Sequence, residues 1–202
     1  MISVKRSESV PVTYTNRKGI TYYLCQGTTK TGKPRYYFAR QPKGELVAEI
    51  PAGFKISESV NGRVSLVKDR PMQLFPEEIA AVEVAVRRHP RARNYRISVK
   101  HDCMEIYEQV GLGADDLIAA LAQQGLGNRD LADRIRAERE RYAQFTPVLR
   151  FILADAKRRT FRARRTSYFD DDWIDVGKMG SIERLAGRLI PKLGTDQFFE
   201  LS

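Results

Sequence analysis

A change of pattern near Pro71 constrains this chain more than any other feature. Before it, short runs of β-branched and aromatic residues are punctuated by Gly, Asn and Pro. After Pro76, apolar residues recur at helical spacing. A period of two suits strands, whose side chains alternate between faces, while a spacing of three to four suits a helix with one buried stripe. The expected fold class is α+β: a small antiparallel β module over 1–70, then a mixed α+β domain over 71–202 with antiparallel strands and three to four helices.

Within the first segment, Val10–Tyr14 and Ile20–Gln26 flank Asn16-Arg17-Lys18-Gly19, a hairpin turn in which Gly supplies the positive φ. A turn-rich stretch, Gly27 to Pro34, precedes an aromatic strand over Arg35–Arg40. Phe54–Glu58 and Arg63–Lys68 pair around Asn61-Gly62, a dipeptide suited to a type I′ turn. The segment reads as one sheet of four or five strands.

In the second segment, Pro76-Glu77-Glu78 opens a helix with the stripe Ile79, Val82, Val86, and Pro90 stops it. Tyr95–Val99 and Met104–Tyr107 form a second hairpin. Asp115–Gln123 and Asn128–Phe145 read as helices. Val148–Ala154 is nearly continuous in apolar residues and is expected at the centre of a sheet. Arg159–Thr166 follows as an arginine-rich strand, and Ile182–Leu193 as an amphipathic helix capped at Ser181 and closed by Gly194. Phe198 and Phe199 are too apolar for a free tail and should dock.

Several classes are set aside. No apolar run approaches the roughly 18–20 residues that span a bilayer, and the first residues lack the apolar stretch of a secretory leader. Cys25 and Cys103 are too few for a disulfide framework or a four-cysteine zinc site. A cytoplasmic location with no membrane partner is the expectation.

Charge carries the functional signal. The chain has 35 Lys and Arg against 25 Asp and Glu, a formal +10. Residues 1–70 hold 13 of the basic and 5 of the acidic side chains, net +8, and residues 71–202 hold 22 and 20, net +2. A concentrated basic excess raises the local potential and attracts polyanions. Three groups of residues are candidates for a nucleic-acid interface. The first is the hairpin Tyr22–Arg40, where Lys30, Lys33, Arg35 and Tyr37 would combine phosphate neutralisation with base stacking. Strand alternation leaves at most half of Tyr22, Tyr23, Tyr36 and Tyr37 outward; the rest are core. The second is the run from Arg87 to Arg96, including Arg88, Arg91 and Arg93, whose guanidinium forks suit phosphate. Its bland alternative is ion pairing with Asp130, Asp133, Glu138 and Glu140. The third is Arg162 and Arg164, which share one strand face, opposite Arg159, Phe161, Ala163 and Arg165. There the bland alternative is a charged edge that resists aggregation.

Catalytic motifs are sparse. Asp170, Asp171 and Asp172, with Asp175, would suit magnesium chemically, but consecutive acids diverge and a solvated acidic turn is the simpler reading. His101-Asp102-Cys103 places a nucleophilic trio on neighbouring positions, where triads seldom form. Only two histidines exist, and neither a phosphate-binding loop nor a dinucleotide fingerprint is present. No cofactor is expected. The helix–glycine–helix stretch Leu117–Arg136 has helix-turn-helix spacing, with Asn128 and Arg129 where base edges would be read, but Asp130 and Asp133 would repel phosphate. The expected function is non-catalytic nucleic-acid binding, of DNA or RNA, alone or as the nucleic-acid-contacting subunit of a complex. The alternatives are an adaptor whose basic surface meets an acidic protein, anchored by Trp173, Phe198 and Phe199, and a magnesium-dependent nuclease centred on Asp170–Asp175.

Overall fold

The computed structural model describes residues 10–167 and 172–200. The chain separates into two compact units between Arg70 and Pro71. The architecture is α+β, with antiparallel sheets throughout and a small β unit first.

In the first unit, β1 (Thr13–Thr15), β2 (Thr21–Thr28), β3 (Pro34–Ala39) and the short β4 (Glu45–Leu46) form a four-stranded sheet. β2 pairs with β3 along one edge and with β1 and then β4 along the other. β5 (Phe54–Glu58) and β6 (Val64–Lys68) make a separate two-stranded ribbon, so the single sheet expected here is two. Tyr22, Leu24, Cys25, Val60 and Val64 are the buried apolar residues.

Three loops of this unit share one geometry. In Asn16–Gly19, Thr29–Gly32 and Ser59–Gly62 the fourth residue's N–H donates to the first residue's carbonyl, at 2.8, 3.0 and 2.9 Å. The first residue's N–H then donates to the carbonyl of the residue after the glycine. Each loop begins with a short polar residue whose side-chain oxygen accepts an N–H from that same following residue: Ile20, Lys33 and Arg63. Gly32 sits at φ 77°, the left-handed conformation this closure requires. The type I′ turn expected at Asn61-Gly62 does not form. That turn needs positive φ at both central residues, and Arg159 alone among the described non-glycine residues has it. The loop is a type I turn followed by a left-handed glycine.

The second unit is built on a five-stranded meander, β7 (Tyr95–Val99), β8 (Cys103–Gln109), β9 (Phe145–Asp155), β10 (Thr160–Thr166) and β11 (Trp173–Asp175). β9 is central, as its apolar run predicts. Met104, Ile106, Leu149, Phe151, Phe161 and Ala163 point to one face. There they meet α1 (Pro76–Arg87) through Val82 and Val86, and α4 (Ile182–Leu189) through Ile182, Leu185, Ala186 and Leu189. A 3-10 turn over Ile190–Lys192 and a single turn, α5 (Asp196–Phe199), bury Phe198, while Phe199 stays partly exposed. α2 (Ala114–Gln123) and α3 (Arg129–Tyr142) are inserted between β8 and β9, and the Val110 N–H donates to Gln144 O at 2.8 Å where the chain leaves and rejoins the sheet. Neither helix buries a residue. Among the described residues no helix is long and apolar enough to cross a membrane.

Candidate nucleic-acid interface

The β2–β3 hairpin presents its basic residues at the tip. Thr29 Oγ1 accepts the Lys33 N–H at 3.1 Å and Gly32 turns the chain, so Lys30 and Lys33 stand at the loop and Arg35 one residue into β3. All three are exposed, and none has an ion-pair partner among the described residues. Cross-strand register places Arg35 opposite Gly27 and Tyr37 opposite Cys25, so Arg35 and Tyr37 share a face. Tyr37 is half-buried and its hydroxyl donates to Lys43 O at 3.0 Å. A Cβ on Gly27 would lie 3.4 Å from its ring. That bond ties the edge of the ring to the Lys43-Gly44 loop. Tyr22 is core.

The second cluster divides. Arg87, Arg88 and Arg91 are exposed at the end of α1 and in the following turn, without ion-pair partners among the described residues. That turn is fixed by buried His89: Nδ1 accepts the Arg91 N–H at 3.1 Å, which leaves Nε2–H to donate to Leu193 O at 3.2 Å. Arg93 and Arg96 are paired, Arg93 at 3.5 Å from Asp115 and Arg96 at 3.8 Å from Glu140. Ion pairing, the bland alternative, holds for these two, with Glu140 as the only partner the sequence suggested.

Arg162 and Arg164 lie on the sheet face opposite the core, as alternation requires. Both lean on Asp175, at 3.6 and 3.5 Å, and Arg164 also donates to Trp173 O. Their neighbours complete a polar row in direct register across all five strands: Ser98, Glu105, Arg150, Arg164 and Asp175. Arg150 stacks on the Trp173 ring at 4.0 Å, with a buried Nε that makes no hydrogen bond. Glu105 is buried and accepts from Lys100 Nζ at 2.6 Å and from the Tyr107 hydroxyl at 2.9 Å. Burial first, and the Glu105 carboxylate second, push the Tyr107 phenol well above its ordinary range. Sequence reading missed Arg150 and Tyr107, and met Glu105 only as an acid near the His101-Asp102-Cys103 trio. The available signal was a lone arginine in an otherwise apolar central strand, which marks one face of that strand as polar. Arg159 and Arg165 serve the core face: Arg165 is buried and donates to Phe199 O at 2.6 Å, and Arg159 pairs with Glu78.

Asp170 and Asp171 lie outside the described residues, Asp172 is exposed, and Asp175 is held by two arginines. Among the described residues no three His, Cys, Asp or Glu side chains are grouped to hold a metal ion. Burial pushes the Cys103 thiol up to about 11, the wrong direction for a nucleophile, and His101 Nδ1 faces Pro71 O at 3.2 Å rather than the sulfur. Asn128 caps α3, its Oδ1 accepting the Leu131 N–H at 2.7 Å, which removes that oxygen from base reading. No family model matches the chain, and no curated protein or solved structure is detectably similar to it.

Proposed function

We propose that the protein is a cytoplasmic nucleic-acid-binding protein, acting alone or as the nucleic-acid-contacting part of a complex. One observation carries this reading: Lys30, Lys33 and Arg35 converge on a hairpin tip where no described carboxylate neutralises them, in a segment with 13 basic and 5 acidic residues. Unpaired cations at a projecting turn lose little hydration before they meet phosphate, and they release its counterions on contact. Arg87, Arg88 and Arg91 supply a second group without ion-pair partners among the described residues. Arg162 and Arg164 rank lower because Asp175 already holds them. Binding to labelled single strands and duplexes at low salt tests the reading. Lys30→Ala with Lys33→Ala is expected to weaken both affinities and to reduce the salt slope by about one per lost contact. Failure of both strand types to bind the parent protein overturns it.

A protein-interaction role is the second reading, and the α2–α3 hairpin favours it. No residue of either helix is fully buried, while Leu112, Leu126 and Tyr142 in and around them are each about 60% exposed. Of the expected anchors, Phe198 is buried and Trp173 lies under Arg150, so the apolar contact would come from this hairpin. A partner that survives nuclease treatment and is lost with Leu126→Glu supports this role.

A further inference from the structure

Where β7 begins beside the helical hairpin, four guanidinium groups surround one cleft of about 320 Å³. Arg93 and Arg96 come from the turn and strand after α1, and Arg136 and Arg139 from α3. Two carboxylates share the space. Asp115 lies 3.5 Å from Arg93 and 3.3 Å from Arg136, and Glu140 lies 3.8 Å from Arg96. Arg139 has no ion-pair partner among the described residues. Asp133 also pairs with Arg136, at 3.2 Å, so four cations face three carboxylates and the cluster stands at +1.

We propose that this cleft binds a phosphomonoester, carried either by a free mononucleotide or by the phosphorylated end of a nucleic-acid strand. The sign matches: the cluster is cationic, and a phosphomonoester bears about −1.5 to −2 near pH 7. The geometry matches as well, since planar guanidinium forks take phosphate oxygens two at a time. Asp115 already shows the pattern, an oxyanion bridging two arginines that a better oxyanion can replace. Its side chain and that of Glu140 are 57% and 79% exposed, so both can swing into solvent at small cost. Arg96 is pre-set: its Nη1 donates to the carbonyls of Arg93 and Tyr95 at 2.8 and 2.9 Å, and Phe145 lies 5.1 Å beneath it. The volume falls at the lower end of small-ligand sites, enough for a phosphate with its sugar. Asn94 and Gln109 on the wall offer amide donors and acceptors to that sugar.

The inference stands apart from the hairpin-tip reading and fails separately. Calorimetry at low ionic strength with adenosine 5′-monophosphate, adenosine and inorganic phosphate tests the cleft itself. The monophosphate and phosphate are expected to bind and adenosine is not. Arg136→Ala with Arg139→Ala should weaken binding by roughly tenfold or more, as loss of charge-assisted hydrogen bonds does. Asp115→Asn should strengthen it, because it removes the competing carboxylate, and Lys178→Ala, at an exposed lysine after β11 and outside the cleft wall, should leave it unchanged. A second arm compares one oligonucleotide with a 5′-phosphate and with a 5′-hydroxyl end. Preference for the phosphorylated end identifies a strand terminus as the source; monophosphate binding without that preference identifies the free nucleotide. Absence of monophosphate binding, or an Asp115→Asn loss as large as the arginine losses, overturns the proposal. If oligonucleotides then bind equally with either end, the nucleic-acid reading survives without it.

Discussion

Arg159 ties the β9–β10 turn to the start of α1. It turns the chain between β9 and β10 at φ 49°, a conformation unfavourable for a residue with a Cβ. Its guanidinium donates to both carboxylate oxygens of Glu78 and to Gln73 O at 3.0 Å, and it stacks on Phe75 at 3.9 Å. Glu78 also accepts the Phe75 N–H at 2.8 Å at the start of α1. Burial pushes the Glu78 carboxyl up, but the Arg159 hydrogen bond, the Phe75 N–H and the Arg159 charge together outweigh it, so the carboxyl titrates below its ordinary value. A folded-state pKa below the unfolded one means stabilisation that is full above the ordinary carboxylate range. It is lost as pH falls through the lower folded value. Glu78→Gln should therefore flatten the fall in stability below about pH 4.5, measured by urea unfolding across an acid series. Arg159→Leu should cost about 2 kcal/mol at neutral pH. That is less than the roughly 3–5 of fully buried pairs, since Arg159 keeps some contact with solvent. The cysteines offer a further check at this scale. Cys25 and Cys103 are both buried, and the Cys103 thiol is held near 11. Neither should react with an aromatic disulfide reagent at pH 8 until urea unfolds the chain.

At the scale of elements, the recurrent loop of the first unit explains how a small core is reinforced. Asn16 starts one such loop and is buried; its Oδ1 accepts the N–H groups of Lys18 and Ile20, and its Nδ2 donates to Gly62 O at 2.7 Å in another. One amide thus fastens the β1–β2 turn to the β5–β6 turn. Asn16→Ala strands buried backbone groups on both sides and should cost about 2 kcal/mol by denaturant unfolding. Elements of this kind were readable in the sequence wherever chemistry is local. Asn16, followed three positions later by Gly19, fixes a turn, and Pro76-Glu77-Glu78 with its apolar stripe fixes α1. The failures come from non-local terms. Asn61-Gly62 reads as a two-residue turn, but the register Glu58 with Val64 leaves five residues to connect, and Ser59 closes the longer loop. The ribbon β5–β6 and the four-stranded sheet cannot be told from one sheet by alternation alone. The candidate interface was legible as exposed charge at Lys30, Lys33 and Arg35. It was illegible at Tyr37 and Arg93, where the partners Lys43 O and Asp115 are set by the path of the chain.

For the molecule as a whole, core size and charge are unevenly divided. Nineteen buried apolar residues form the core of the second unit, whereas Tyr22, Leu24, Cys25, Val60 and Val64 serve the first. Small domains bury a smaller fraction of their surface and are correspondingly marginal. The first unit also carries most of the net charge, +8 over residues 1–70, and self-repulsion works against its compact state. A fragment of residues 71–202 should therefore melt cooperatively at a higher temperature than one of residues 1–70. The second consequence ties stability to function. If the basic face of the first unit binds nucleic acid only when folded, ligand at 100 times its Kd adds about 2.7 kcal/mol to that unit's stability. For a domain of some 70 residues a gain of this size raises Tm by roughly 10–20 °C. Added sodium chloride should screen the repulsion in the free fragment and raise its Tm slightly, but erode the rise produced by nucleic acid, because the same salt weakens phosphate contacts. Calorimetric scans of the fragment with and without a saturating oligonucleotide, at two salt concentrations, measure both effects. A Tm that does not move with oligonucleotide at low salt would show that the excess charge is not a binding surface.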